Sequence, residues 1–200
     1  MATGTITLTS AIAGVSIGAH VSRIANLQTA YEGDALPAGK AGTLSTRTDD
    51  DTGVATLGAG HGMTDSDYVD VFWTGGCRYG MDVTSVDGND VSINLGAGDV
   101  LPAQSTALIV TKQVTIDIDF DGDNVEMIAI SNSKRIHLDF QENGGTSIKA
   151  LDIPANEGWY WAADQGVSNP LTGNPVGQIK ATSGETSAAT LKIGVLYNSS

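Results

Sequence analysis

Short β-branched runs, each cut off by Gly, Asp, Asn or Pro before a helical period can develop, dominate this chain from Gly42 onward. GTLSTRT and VATLGAG flank DDDTG, DYVDVFW and RYGMDVTSV flank TGGC, DVSINLG follows DGN, and STALIVTKQ comes after GAGDVLPAQ. Turn signals recurring at about 8–12 residues with no 3.6-residue pattern between them predict a small antiparallel barrel or compact sandwich. LPAGKAG (36–42) and LPAQSTA (101–107) each carry a proline suited to a connector, so 42–112 is expected to be one inserted module.

Beyond it, QVTIDIDF, NVEMIAIS, RIHLDFQ, SIKALDI, GWYWAAD, GQIKATS and TLKIGVLY read as further strands. Ile136, Leu138 and Phe140 alternate with Arg135, His137 and Asp139, and Leu191, Ile193, Val195 and Tyr197 alternate with Lys192 and Gly194. A period of two with one polar face is the pattern of a half-buried sheet. TITLTS has no hairpin partner beside it and is expected to pair with the C-terminal strands. HVSRIANLQTAYEGDAL fits a helical face and a strand face about equally, and a strand is the expectation. The fold class read from these patterns is all-β: an antiparallel, jelly-roll-like sandwich from residues 1–41 and 113–200, carrying the 42–112 barrel as an insertion. A chain of 200 residues suffices for such a core.

The net charge is −13, and it is unevenly spread: between Asp49 and Asp99 stand ten acidic residues against the single base Arg78. Nucleic acid is a poor partner for such a surface, because phosphate binding needs clustered Lys and Arg. A basic protein surface is a better one. Cys77 is the single cysteine, so neither an intrachain disulfide nor a Cys-based zinc site can be built from one chain. No run of eighteen apolar residues occurs, which predicts no spanning helix, and the start lacks the basic region and apolar stretch of a secretory signal, which predicts synthesis in a cytoplasm.

VTIDIDFDGDN (114–124) sets four aspartates at every second position. A calcium loop starting at Asp117 would need a bidentate Glu at its twelfth position, where Ile128 stands. The residues fit a strand better: Val114, Ile116, Ile118 and Phe120 inward, Asp117, Asp119 and Asp121 outward, with DGDN as a hairpin turn. A wet aspartate ladder is tolerated in solvent and becomes favourable when a basic surface meets it. Trp159 and Trp161 share one face of GWYWAAD, where they either fill the core or offer a stacking platform for a sugar. The following polar loop, with Asp164 and Asn169, has the composition of a projecting contact segment. These seven residues, Asp117, Asp119, Asp121, Trp159, Trp161, Asp164 and Asn169, form the expected interaction surface.

No catalytic or cofactor site is expected. His20, His61 and His137 lack a triad or ligand spacing, His137 reads as an exposed strand residue, and Cys77 reads as a passive thiol.

Residues 36–110, above all the phrases GHGMTDSDYVDVFW and GAGDVLPA, resemble modules in virion proteins of tailed bacteriophages, particularly small capsid decoration or cement proteins. The resemblance implies a non-enzymatic protein, made in a bacterial cytoplasm, that sits on the capsid surface and bridges neighbouring capsomers. Its expected partners are the major capsid protein and itself, as a homotrimer, with no nucleic acid and no membrane. The alternative from another class is a carbohydrate-binding sandwich of a phage tail or secreted protein, acting through Trp159 and Trp161.

Overall fold

The computed structural model describes residues 27–32, 36–163, 166–171, 173 and 175–197. They are almost entirely antiparallel β-structure. TITLTS and Asp164 lie outside the described residues.

Six strands close into a barrel: β2 (Lys40–Arg47), β3 (Gly53–Leu57), β4 (Tyr68–Trp73), β5 (Gly76–Asp87), β6 (Asp90–Asn94) and β8 (Ala107–Lys112). Their order is β4-β8-β2-β3-β6-β5, and β5 pairs back onto β4; the two-residue β7 (Ala97–Gly98) adds to β5. Closure follows from the sequence alternation: Leu44, Ala55, Val69, Val71, Val83, Val91, Ile93 and Val110 point inward and are fully buried. Each of the Val, Leu and Ile side chains among them contributes roughly 1.5–3 kcal/mol when removed from water. LPAQ lies in the connection between β7 and β8, inside the barrel module rather than at its boundary. Leu101 is buried in the barrel core, its N–H donates to Asp50 O at 2.8 Å, and its carbonyl accepts from Arg47 Nε at 3.0 Å.

The remaining strands are β1 (Leu27–Glu32), β9 (Val114–Asp121), β10 (Val125–Asn132), β11 (Ile136–Gln141), β12 (Ser147–Ile153), β13 (Trp159–Ala162), β14 (Pro175–Ser183) and β15 (Leu191–Tyr197). They form two four-stranded sheets, β1-β15-β10-β13 and β12-β11-β14-β9, which enclose one apolar core. Ile128, Ile130, Ile193 and Val195 come from the first sheet and Ile116, Ile136, Leu138, Phe140, Ile179 and Ala181 from the second. In HVSRIANLQTAYEGDAL the described piece is a strand, paired with β15. DGDN is not a hairpin turn: β9 and β10 lie in different sheets, and the turn carries the chain from one to the other. Gly122–Asn124 makes a single 3-10 turn there, with Asp121 as its N-cap accepting from Asp123 N at 3.0 Å.

The two cores share no residue: the barrel cluster lies within 44–110 and the sandwich cluster outside it. The barrel nevertheless docks firmly. Gly39 N donates to Glu185 O at 2.8 Å, and Thr111 Oγ1 donates to Ser183 O at 2.6 Å. At Gly39 a Cβ would collide with Ile109 and Thr111, so the chain enters the barrel at a point where only glycine fits. Phe72, on the outward face of β4, is 1% exposed because the sandwich covers it, and the Arg135 guanidinium lies 5.2 Å from its ring centre.

Candidate functional site at the barrel–sandwich junction

Strand alternation puts Tyr68, Asp70 and Phe72 on the outside of the barrel, and His137, Asp139 and Gln141 on the outside of the sandwich. Docking turns part of both outsides into an interior. Asp70 and His137 are each 1% exposed. His137 Nδ1 lies 2.9 Å from Asp70 Oδ2, which also accepts from Thr182 Oγ1 at 2.5 Å. Asp70 Oδ1 accepts from Gly80 N and from Gln113 Nε2, both at 2.8 Å. A carboxylate can only accept, so His137 Nδ1 is the donor of this bond. Four donors from both modules thus converge on one buried carboxylate, which is how a buried charge is made tolerable.

His137 is therefore a buried junction residue, not the exposed strand residue that β11 read in isolation predicts. Its ring stacks on Tyr79 with centroids 4.1 Å apart. Its Nε2 is buried and has no hydrogen-bond partner. Beside it Arg135 makes a bidentate pair with Asp152, at 3.0 Å from Nε to Oδ1 and 2.6 Å from Nη2 to Oδ2. That hydrogen-bonded partner holds the guanidinium above its ordinary pKa despite burial. Cys77 lies next to the same carboxylate, its Sγ 3.7 Å from Asp152 Oδ2. Burial, then the neighbouring Asp152 charge, push its thiol up to about 11, which leaves it a poor nucleophile near neutral pH. Burial likewise raises the Tyr79 phenol.

Away from this buried end the junction opens into a cleft of about 530 Å³. Its floor is the polar face of β11 and β14, on which Asp139 sits opposite Lys180 and Gln141 opposite Gln178. Tyr68, Tyr79 and Gln113 belong to the lining on the barrel side, and His137 reaches it from the buried end.

The residues expected to form an interaction surface do not come together. Asp117 and Asp119 are exposed on β9, an edge strand paired only with β14. Asp121 caps the 3-10 turn and also accepts from Asn124 Nδ2 at 2.8 Å. Trp161 is 5% exposed, packs into the sandwich core and donates from Nε1 to Val167 O at 3.2 Å. Trp159 is half-buried against the same core. Of the two readings of GWYWAAD, core packing holds, and Trp161 offers no platform for a sugar. Among the described residues of the loop after β13, Val167 is exposed while Asn169 and Leu171 tie the loop to the sandwich. Leu171 is 1% exposed, and Asn169 donates to Gly122 O at 2.8 Å while accepting from Leu171 N.

The Asp70–His137 pair escaped sequence reasoning because its partners are 67 positions apart. One signal was present: Phe72, a large apolar residue on the face of β4 opposite Val69 and Val71, implies that this outer face is covered. No protein-family model, no curated protein and no solved structure matches the chain.

Proposed function

We propose that this chain is a non-enzymatic structural protein of a tailed-phage virion, a capsid decoration protein that binds the outer shell and bridges neighbouring capsomers. The observation that carries this reading is the predominantly acidic exterior of the barrel. Of the ten acidic residues between Asp49 and Asp99, Asp70 alone is buried, and six, Asp49, Asp50, Asp65, Asp87, Asp90 and Asp99, are exposed. Arg78, the only base in that stretch, is turned inward. Its guanidinium donates to the carbonyls of Leu95 at 2.7 Å, Gly96 at 3.0 Å and Asp99 at 3.1 Å. Arg47 pairs with Asp50, Arg78 reaches Asp51 and Lys112 pairs with Asp67, but the other exposed carboxylates outnumber these bases, which leaves a predominantly acidic surface matched to a basic protein partner.

The major capsid protein is the proposed partner. Self-association is assigned to the sandwich, in which β1, β13, β12 and β9 are the edge strands among the described residues and so candidates for pairing with a second copy. The proposed assembly is a homotrimer, on the capsid surface after synthesis in the host cytoplasm. The resemblance of residues 36–110 to decoration proteins supports the same reading.

The test is mass spectrometry of virions of the phage encoding the chain, together with binding of purified protein to shells lacking it. Stoichiometric recovery, and binding that weakens about tenfold in an Asp65→Lys/Asp87→Lys variant and with rising salt, are expected. A strictly monomeric protein that ignores such shells refutes the proposal.

A further inference from the structure

The cleft beside the Asp70–His137 pair carries chemistry that shell binding does not use. We propose that it is a binding site for a neutral, hydroxyl-rich ligand, a saccharide, held between the polar face of β11–β14 and the tyrosines of the barrel.

Size is the first argument: about 530 Å³ falls within the range of small-molecule sites, at a junction between two modules where such sites concentrate. Charge is the second. Asp139 faces Lys180 across the strand pair, so the floor holds one carboxylate and one ammonium and favours neither an anion nor a cation. The remaining polar groups are mainly amides and hydroxyls, which give and accept hydrogen bonds as sugar hydroxyls do.

These groups are already ordered. Gln178 Nε2 donates to Gln141 Oε1 at 2.9 Å, Gln141 Nε2 donates to Asp139 Oδ2 at 2.6 Å, and Ser147 Oγ donates to Asp139 Oδ1 at 2.5 Å. A floor fixed in advance loses little side-chain freedom on binding. Tyr68, 56% exposed at the rim, supplies an aromatic surface for the apolar face of a sugar ring.

His137 is the third argument. Its Nδ1 is committed to Asp70, and the opposite nitrogen, Nε2, is buried without a hydrogen-bond partner in a residue that lines the cleft. Buried polar atoms are nearly always satisfied, and an unsatisfied one in a residue lining the cleft sets this end of the junction apart from the rest of the described fold.

The inference does not rest on the capsid reading, and its test is separate from shell binding. Isolated full-length protein is titrated calorimetrically with a panel of neutral glucose-, galactose- and N-acetylglucosamine-based oligosaccharides. At least one is expected to bind with a dissociation constant of roughly 1 mM or tighter. Tyr68→Ala and Gln178→Ala are each expected to weaken it about tenfold, the effect of losing one well-placed contact, while Asp87→Asn, outside the cleft, changes nothing. Unchanged melting temperatures separate loss of the site from loss of the fold. Absence of binding across the panel, or binding indifferent to both cleft variants, overturns the proposal. So does binding of a Lys-rich peptide that the same variants abolish without any saccharide response, which would make the cleft a protein-docking groove.

Discussion

The barrel and the sandwich are built from the same kind of strand, yet they treat their outer surfaces differently. The barrel closes its sheet on itself, leaving its exterior available for carboxylates. Among the described residues the sandwich keeps four edge strands, and it covers part of one outer face with the barrel. Each interior is apolar, and polar burial is displaced to the place where the modules meet. Of the seven buried polar or charged side chains among the described residues, five (Asp70, Thr111, His137, Thr182 and Ser183) are at the junction. Apolar cores tolerate many arrangements, whereas a carboxylate with four donors accepts one. The junction therefore fixes how the two modules sit, while the cores supply the bulk of the folding free energy.

Removing that carboxylate is the strongest way to break the comparison. Asp70→Ala strands Gly80 N–H, the Gln113 amide, the Thr182 hydroxyl and His137 Nδ1–H without their acceptor. Breaking a buried hydrogen-bonded charge from one side costs on the order of 3–5 kcal/mol. Chemical denaturation is expected to register that loss and to split one transition into two as the modules uncouple. A loss below about 1 kcal/mol with a single transition would mean that the junction is incidental.

The same contrast explains what the sequence makes legible. Strands such as RIHLDFQ and TLKIGVLY are readable because alternation depends only on neighbours in the chain, and each corresponds to a strand of the fold. The barrel's inward set, with Val69 and Val71, is readable for the same reason. His137 is misread because alternation tells which face a residue takes, not whether another module covers that face. Asn169 is misread because a polar loop composition says nothing of the carbonyl at Gly122 that holds it. The DGDN turn is misread because a hairpin and a crossing between sheets use the same turn residues.

A smaller effect sharpens the comparison through pH. Cys77 sits at the junction with its thiol raised from 9.0 to about 11, burial being the first cause and the Asp152 charge the second. The unfolded chain ionises this thiol first, so the stability linked to the protonated form is complete below about pH 9 and is lost as pH rises through about 11. Tyr79, also raised by burial, adds a loss of the same sign. Alkaline denaturation of Cys77→Ala in a Tyr79→Phe background should lack most of this fall. In the wild type, a thiol-specific reagent at pH 8 should label Cys77 far faster after unfolding than before. Equal rates would place the thiol outside the docked junction.

The smallest effect belongs to the barrel's exterior. Lys112 Nζ lies 2.6 Å from Asp67 Oδ1, and Thr64 N donates to Asp67 Oδ2 at 2.8 Å. Burial raises the Asp67 carboxyl, but the Lys112 and Thr64 hydrogen bonds outweigh it and leave the group below its ordinary value. That contribution is present above about pH 3.8 and is lost as pH falls through the lower folded-state value. Half of the Lys112 side chain remains in water, so screening and side-chain entropy keep the pair's worth to about 0.5 kcal/mol. Lys112→Met should cost that much at low salt, less at high salt, and nothing measurable once Asp67 is protonated. Urea midpoints at pH 7 and along a series of falling pH below 3.8, each with and without added salt, check all three statements. A loss of several kcal/mol that is indifferent to salt would mean that this ion pair belongs with the buried junction rather than with the wet acidic surface of the barrel.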